Sequence, residues 1–210
     1  MTLRLNGATS GYTEIDAPAV AGSNTLVLPG GNGSDGNILG TDGAGNLSWV
    51  NGRMVLGTSQ ASTSGTSIDF TGIPSWVKRV TVMFNGVSTN GTGKVSLQLG
   101  DSGGFETSGY LGTAVFADAN QTGTNFGFGF ILEEGANAAA IRHGMVVINL
   151  INAATNTWSY SGNVARSDQA TITVSAGSKA LSATLDRVRV TTSNGTDTFD
   201  AGSINILYEG

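Results

Sequence analysis

Residues 72–104 read GIPSWVKRVTVMFNGVSTNGTGKVSLQLGDSGG, two alternating apolar runs joined by a glycine-rich connection. In the first run Val80, Val82 and Phe84 fall on one face, with Thr81 and Met83 on the other. In the second, Val95, Leu97 and Leu99 alternate with Ser96 and Gln98. Successive side chains of a strand point to opposite faces, so this period of two predicts strands buried on one side. Asn85-Gly86, Asn90-Gly91 and Thr92-Gly93 lie between the runs and are expected to supply the positive-φ residues of a reversal. Ile73-Pro74-Ser75-Trp76, just upstream, reads as a turn that brings a large aromatic to one end of a sandwich.

Outward from this stretch the same pattern continues. Strands are predicted near 53–57, 66–70, 77–87, 94–100, 110–116, 125–132, 140–152, 156–164, 169–174, 181–192 and 203–209, with turn signals at the spacing of an all-β domain. Asp186-Arg187-Val188-Arg189-Val190 places arginines on one side and valines on the other, and Asn194-Gly195 turns the chain toward Ile204, Ile206 and Tyr208. No stretch has helical periodicity; Gly135 and Asn137 weaken the Glu134–Ala140 run. The expected fold is a jelly-roll-like antiparallel β-sandwich over residues 53–210.

Residues 1–52 have a different texture. Short alternating runs (Leu3/Leu5, Thr13/Ile15, Leu26/Leu28, Leu47/Trp49) are separated by turns such as Asn6-Gly7, Ser10-Gly11, Pro29-Gly30-Gly31 and Asp42-Gly43. So few apolar side chains offset little of the entropy of ordering such a segment. It is therefore expected to order only against partner subunits or a docking site. Leu3, Leu5, Ile15, Leu26, Leu28 and Trp49 are the candidate contacts; the alternative is a mobile glycine-rich leader.

Composition narrows the function classes. The chain has 32 Gly, 3 Pro and only 12% charged residues, against about 25% charged in an average soluble protein. Low charge with abundant Ser, Thr, Asn and Gly suits strands whose surface ends against other protein. A disordered chain would carry more charge and less Val, Ile and Leu. The net charge of −5 and scattered basic residues argue against nucleic acid as a partner. The absence of Cys excludes a disulfide framework, a thiolate zinc site and a cysteine nucleophile. No secretory apolar region follows Met1, and the best apolar run, Met145 to Ile151, is short and interrupted by Asn149; no membrane insertion is expected.

The run IPSWVKRVTVMFNGVSTNGT, continuing into LQLGDSGG, resembles the carboxy-terminal module of bacteriophage tail-fibre and related virion-surface proteins. TSGYTEIDAPAVAGSNTLVLPGGNG (residues 9–33) is similar to repeats of phage fibre shafts and virion-proximal modules, which that family builds as intertwined trimers. DAGSINILYEG at residues 200–210 shares the likeness. The resemblance implies a structural virion protein: a short trimeric fibre or spike, assembled in the host cytoplasm and placed on the virion surface. Residues 1–52 would contact other virion proteins and the sandwich would face a host-surface glycan or protein. No cofactor is implied. Receptor-contact residues do not carry over, because the family's loops vary; the polar loops 118–124 (Asp118, Asn120 and Gln121) and 194–198 (Asn194 and Thr196) are the candidates.

Several motifs invite catalytic or metal-binding readings. Gly100-Asp101-Ser102-Gly103-Gly104 matches the sequence around the nucleophile of chymotrypsin-like proteases. That chemistry needs a histidine oriented by a buried carboxylate, and His143 follows the serine where that family places it far upstream; the motif reads as a turn. Gly30-Gly31-Asn32-Gly33-Ser34-Asp35 is half of a calcium-binding β-roll repeat, but it is unstacked and has Asn37 where an apolar residue belongs. Glu133-Glu134 and Asp197/Asp200 are too sparse to propose a glycosidase pair, and His143 lacks a second imidazole or a thiolate for a metal. Trp158 and Tyr160 share a strand face, either as core or as a sugar-stacking platform. Phe126, Phe128 and Phe130, alternating with glycines, predict a heavily buried face at an interface or in the interior.

A capsid decoration protein would use the same fold. A stand-alone carbohydrate-binding module predicts a monomer with Trp158 and Tyr160 exposed. A hydrolase predicts activity that depends on Ser102.

Overall fold

Every regular element among the described residues is a β-strand. The computed structural model describes residues 3–15, 18, 22–23, 25–34, 36–52, 54–117, 123–135 and 137–210, and the chain divides into two units, Met1–Gly52 and Arg53–Gly210. The first contains β1 (Leu3–Asn6), β2 (Tyr12–Ile15), β3 (Asn37–Thr41) and β4 (Leu47–Asn51). The second begins with β5 (Met54–Leu56), β6 (Gln60–Ala61), β7 (Ser67–Thr71), β8 (Arg79–Thr89), β9 (Val95–Asp101), β10 (Gly104–Phe105) and β11 (Leu111–Phe116). It continues with β12 (Gly123–Asn125), β13 (Phe130–Ile131), β14 (Arg142–Asn152), β15 (Thr157–Arg166), β16 (Thr171–Ala180), β17 (Arg187–Thr192) and β18 (Phe199–Glu209).

In the second unit two antiparallel sheets pack as a sandwich. The smaller has the order β10-β9-β17-β7, with β13 also on β9; the larger runs β12-β11-β16-β15-β14-β8-β18-β5, with β6 also on β18. Val80, Val82, Phe84, Val146, Ile148, Ile204 and Ile206 of the larger sheet and Leu97, Leu99, Val188 and Val190 of the smaller are buried in one core. The alternation read from the sequence thus sets which residues face inward.

Aromatic rings join the two layers. Phe130, on β13 of the smaller sheet, stacks on Tyr160 of the larger with centroids 4.3 Å apart. Tyr110 and Phe126 meet Phe130 edge-on at 4.8 and 5.6 Å. Such pairs stabilise beyond the area they bury. The polar tips are satisfied: the Tyr160 hydroxyl bonds Ser175 Oγ at 2.9 Å, and Tyr110 Oη accepts from the Leu99 N–H at 2.7 Å.

Several local expectations are corrected. The reversal between β8 and β9 is not a hairpin, because the chain leaves the larger sheet and enters the smaller one. Gly86 alone among its three glycines has a positive φ, 66°, and it lies within β8 as a bulge opposite Arg142 and His143. That extra residue keeps Val87 buried after Phe84. Gly91 and Gly93 serve close approach instead: a Cβ there would lie 2.3 Å from the Asp197 carboxylate and 2.9 Å from the Asn194 carboxamide.

β9 is buried on both sides, since the 126–129 segment lies against Ser96 and Gln98, with Gln98 Nε2 donating to Phe128 O at 2.9 Å. That segment bends, so the expected 125–132 strand is split into β12 and β13. Phe126 and Phe130 enter the core while Phe128 stays half-exposed. The strand expected at 169–174 extends to Ala180, and the one expected from 181 starts at Arg187, leaving Leu181 and Leu185 as buried loop anchors.

The other face of the larger sheet is laid out by the same register. One row across it runs Thr113, Ala176, Ser161, Val147, Thr81, Leu207 and Leu56. The next runs Val115, Val174, Asn163, Met145, Met83 and Asn205.

Phe130→Ala should destabilise the sandwich by about 3–5 kcal/mol, whereas Phe128→Ala should stay within about 1 kcal/mol. Urea denaturation of the two variants beside the parent separates these outcomes.

Candidate functional site

The first unit is built from two hairpins. β1 and β2 pair so that Leu3 faces Ile15 and Leu5 faces Thr13 on one side, with Arg4, Glu14 and Tyr12 on the other. Arg4 bonds Glu14 through Nε at 2.7 Å and lies 4.0 Å over the Tyr12 ring. The hairpin therefore has one charged, internally satisfied face and one apolar face whose Leu3, Leu5 and Ile15 are exposed.

β3 and β4 pair Leu39 with Trp49 and Ile38 with Val50. A parallel bridge adds Val27 beside Asn46, leaving Leu26 and Leu28 on either side of it. Trp49 Nε1 donates to Gly31 O at 2.6 Å. No described residue of this unit is buried; Leu3 is 59% exposed, Ile15 63% and Leu28 71%. All six residues singled out from the sequence are exposed, and the structure brings Leu3, Leu5 and Ile15 onto one face. Ile38, Leu39 and Val50 were missed there, because a run of adjacent apolar residues carries no alternation.

Asp118, Asn120 and Gln121 lie outside the described residues. Asn194 and Thr196 are exposed in the turn after β17. Asn194 Oδ1 accepts from the Thr196 and Asp197 N–H groups, each at 3.1 Å, and from the Thr192 hydroxyl at 3.0 Å. It braces the loop.

The catalytic motifs resolve by position. Ser102 occupies the two-residue turn of the β9–β10 hairpin, as the turn reading expects. Asp101 there is buried and accepts from Ser182 Oγ at 2.7 Å, Gly103 N at 2.8 Å and Ala183 N at 2.8 Å. Those donors, Ser182 first, hold its carboxyl below the usual range against the effect of burial.

His143 is on the larger sheet, where its Nδ1 accepts from Gly86 N at 3.3 Å and its Nε2 lies 3.3 Å from Ser167 Oγ. In the neutral ring that acceptance puts the proton on Nε2, so the imidazole donates to Ser167 and is in the wrong tautomer to deprotonate it. Among the described residues no three His, Asp or Glu side chains gather as a metal site would. Trp158 and Tyr160 are buried core residues and offer no stacking platform.

A buried charge cluster braces the segment before β14. Glu133 pairs with Arg142 Nη2, and Arg142 Nη1 donates to Ala140 O at 3.2 Å. Arg166 pairs with Asp168 and donates to Gly135 O at 2.6 Å, while Lys94 bonds Glu134 at 2.6 Å. Burial pushes the Glu133 carboxyl up, more than Arg142 pulls it down. Asp168 is the opposite case: the Arg166 hydrogen bond, opposed by desolvation and aided by the Ile141 N–H, holds it down at about 2.

The described residues also line two shallow hollows. One of about 240 Å³ is lined by Gln60, Asp69, Ile73 and Tyr208. One of about 340 Å³ is lined by Gln98, Phe128, Arg189 and Asn194. Neither joins a nucleophile to a base.

A carboxyl whose folded pKa lies below its unfolded value stabilises above the unfolded value, and that stability is lost as pH falls through the folded one. Asp168 should therefore withdraw stability between about pH 4 and pH 2, and Asp168→Asn should flatten that limb of the urea-midpoint profile. Arg142→Met should cost about 3–5 kcal/mol at neutral pH by stranding Glu133. That loss should shrink on acidification, because the folded state then holds Glu133 protonated.

Comparison with protein-family models, curated proteins and solved structures finds no match to this chain.

Proposed function

We propose that this chain is a structural protein of a virion surface, a short trimeric fibre or spike. Residues 1–52 order by packing against other copies and against neighbouring virion proteins, and the sandwich is displayed for attachment to a host surface. The observation that carries the reading is the unit Met1–Gly52, which lacks a buried residue among those described yet presents Leu3, Leu5 and Ile15 together. An isolated two-stranded hairpin is marginal in water. Apolar faces in such a unit become stable when a partner covers them, and copies of the same chain supply matching faces. The fibre-like sequence patterns at 9–33 and 73–104 support the virion setting.

The sandwich has a core of its own, since the buried apolar side chains among the described residues all come from Arg53–Gly210. A stand-alone carbohydrate-binding module is disfavoured by the burial of Trp158 and Tyr160.

Light scattering of the full-length chain should give a multimer, three copies by this reading. Replacing Leu3, Leu5 and Ile15 together with serine should weaken that assembly while leaving the thermal transition of the sandwich in place. A full-length chain that stays monomeric at high concentration refutes the proposal.

A further inference from the structure

The two outward faces of the sandwich differ in charge. On the smaller sheet Arg189 pairs with Asp69 at 2.7 Å and stacks 4.0 Å over Phe105, with Arg187 and Asp186 beside it. On the larger sheet the exposed formal charges among the described residues are few: Arg79 and Glu209, register partners 3.4 Å apart, and Asp200 at the other end of β18. The rest of the rows across that face are mostly Met, Val, Leu, Ile and Ala with Ser, Thr and Asn, and His143. Several of its apolar members are open to solvent: Met145 is 56% exposed, Val174 50% and Leu56 63%, while Met83, Val147 and Leu207 are half-buried.

We infer that this outward face of the larger sheet is the surface on which a second copy of the chain packs. Depletion of charge with enrichment of Met marks interface cores. Strand spacing of about 4.8 Å from β12 to β5, with about 3.4 Å per residue along the 11 residues of β14, bounds the face at roughly 1,200 Å², and the short edge strands β12 and β5 bring it below that. A stable interface needs about 800 Å² per partner. Nucleic acid and anionic membranes require clustered cations, whereas this face offers Arg79 alone, already paired with Glu209. A charged protein partner would find no complement there, whereas a neutral face is its own complement. The chain carries a net charge of −5, so copies meet with least repulsion where charge is sparse. Sheets pack face to face at about 10 Å, which Val, Met and Thr rows accommodate. The inference rests on the reading of the chain as self-associating, but on residues outside 1–52.

Sedimentation velocity of residues 53–210, which hold their own core, tests it. The truncated chain is expected to form multimers at high concentration. Met145→Lys combined with Val174→Lys should weaken that association by about a hundredfold or more, because lysines would be buried unpaired. Ser102→Lys, in the turn of the smaller sheet, should leave it unchanged. Circular dichroism checks that each variant is folded. The chain has no Cys, so Met145→Cys provides a single thiol that should be crosslinked between copies by a short bismaleimide.

A truncated chain that is monomeric and uncrosslinked, or a multimer indifferent to both lysines, overturns the inference. If the full chain nevertheless assembles, the proposed function stands. If the truncated chain assembles while serines at Leu3, Leu5 and Ile15 change nothing, the inference stands and the role given to residues 1–52 falls.

Discussion

An antiparallel register commits both faces of a sheet at once. Once β8 pairs with β14 through Val82 and Val146 and with β18 through Ile206, every alternate side chain of those strands is assigned to the core. The others are assigned outward with equal rigidity, which is why Met83, Met145 and Val147 cannot retreat inside. The core aromatics then fix the distance between layers, because Phe130 and Tyr160 reach each other from opposite sheets. The composition of the outward face is therefore a choice of sequence and is not forced by packing.

Charge in this molecule is concentrated where it is paired. Asp69 with Arg189 lies on the outside of the smaller sheet, Glu133 with Arg142 in the interior, and Lys179 with Glu106 at the rim. The interior pair is not a source of net stability by its presence alone, since desolvation offsets much of the attraction. Its role is positional: it ties the segment before β14 to β14 itself, and Arg166 with Asp168 does the same at the end of β15.

Much of this was legible in the sequence wherever burial is one-sided. Val80/Val82/Phe84, Val188/Val190 and Ile204/Ile206 were placed correctly because alternation reports burial directly. The two-sided burial of β9 was not legible, since Ser96 and Gln98 look like surface residues and are covered by a distant loop. The sheet switch after Thr89 was read as a reversal because Asn-Gly pairs signal turns; the actual reason for Gly91 and Gly93 is steric and comes from residues about a hundred positions later. Arg142 and Glu133 gave no sign of being buried, as charge in a sequence reads as surface. In the first unit, the grouping of Leu3, Leu5 and Ile15 was half visible: alternation supplied each strand's face, and only the pairing shows that the faces coincide.

β18 lies between β8 and β5 in the larger sheet, yet all of β9 to β17 separates it from β8 in sequence. A growing polypeptide therefore carries β8 for a long interval with one side of its backbone unpaired. The sandwich closes late, through non-local contacts of the kind that slow folding. During that interval the exposed strand is a template for mispairing with another nascent chain. How quickly β18 arrives to cover that edge then bears on folded yield alongside equilibrium stability.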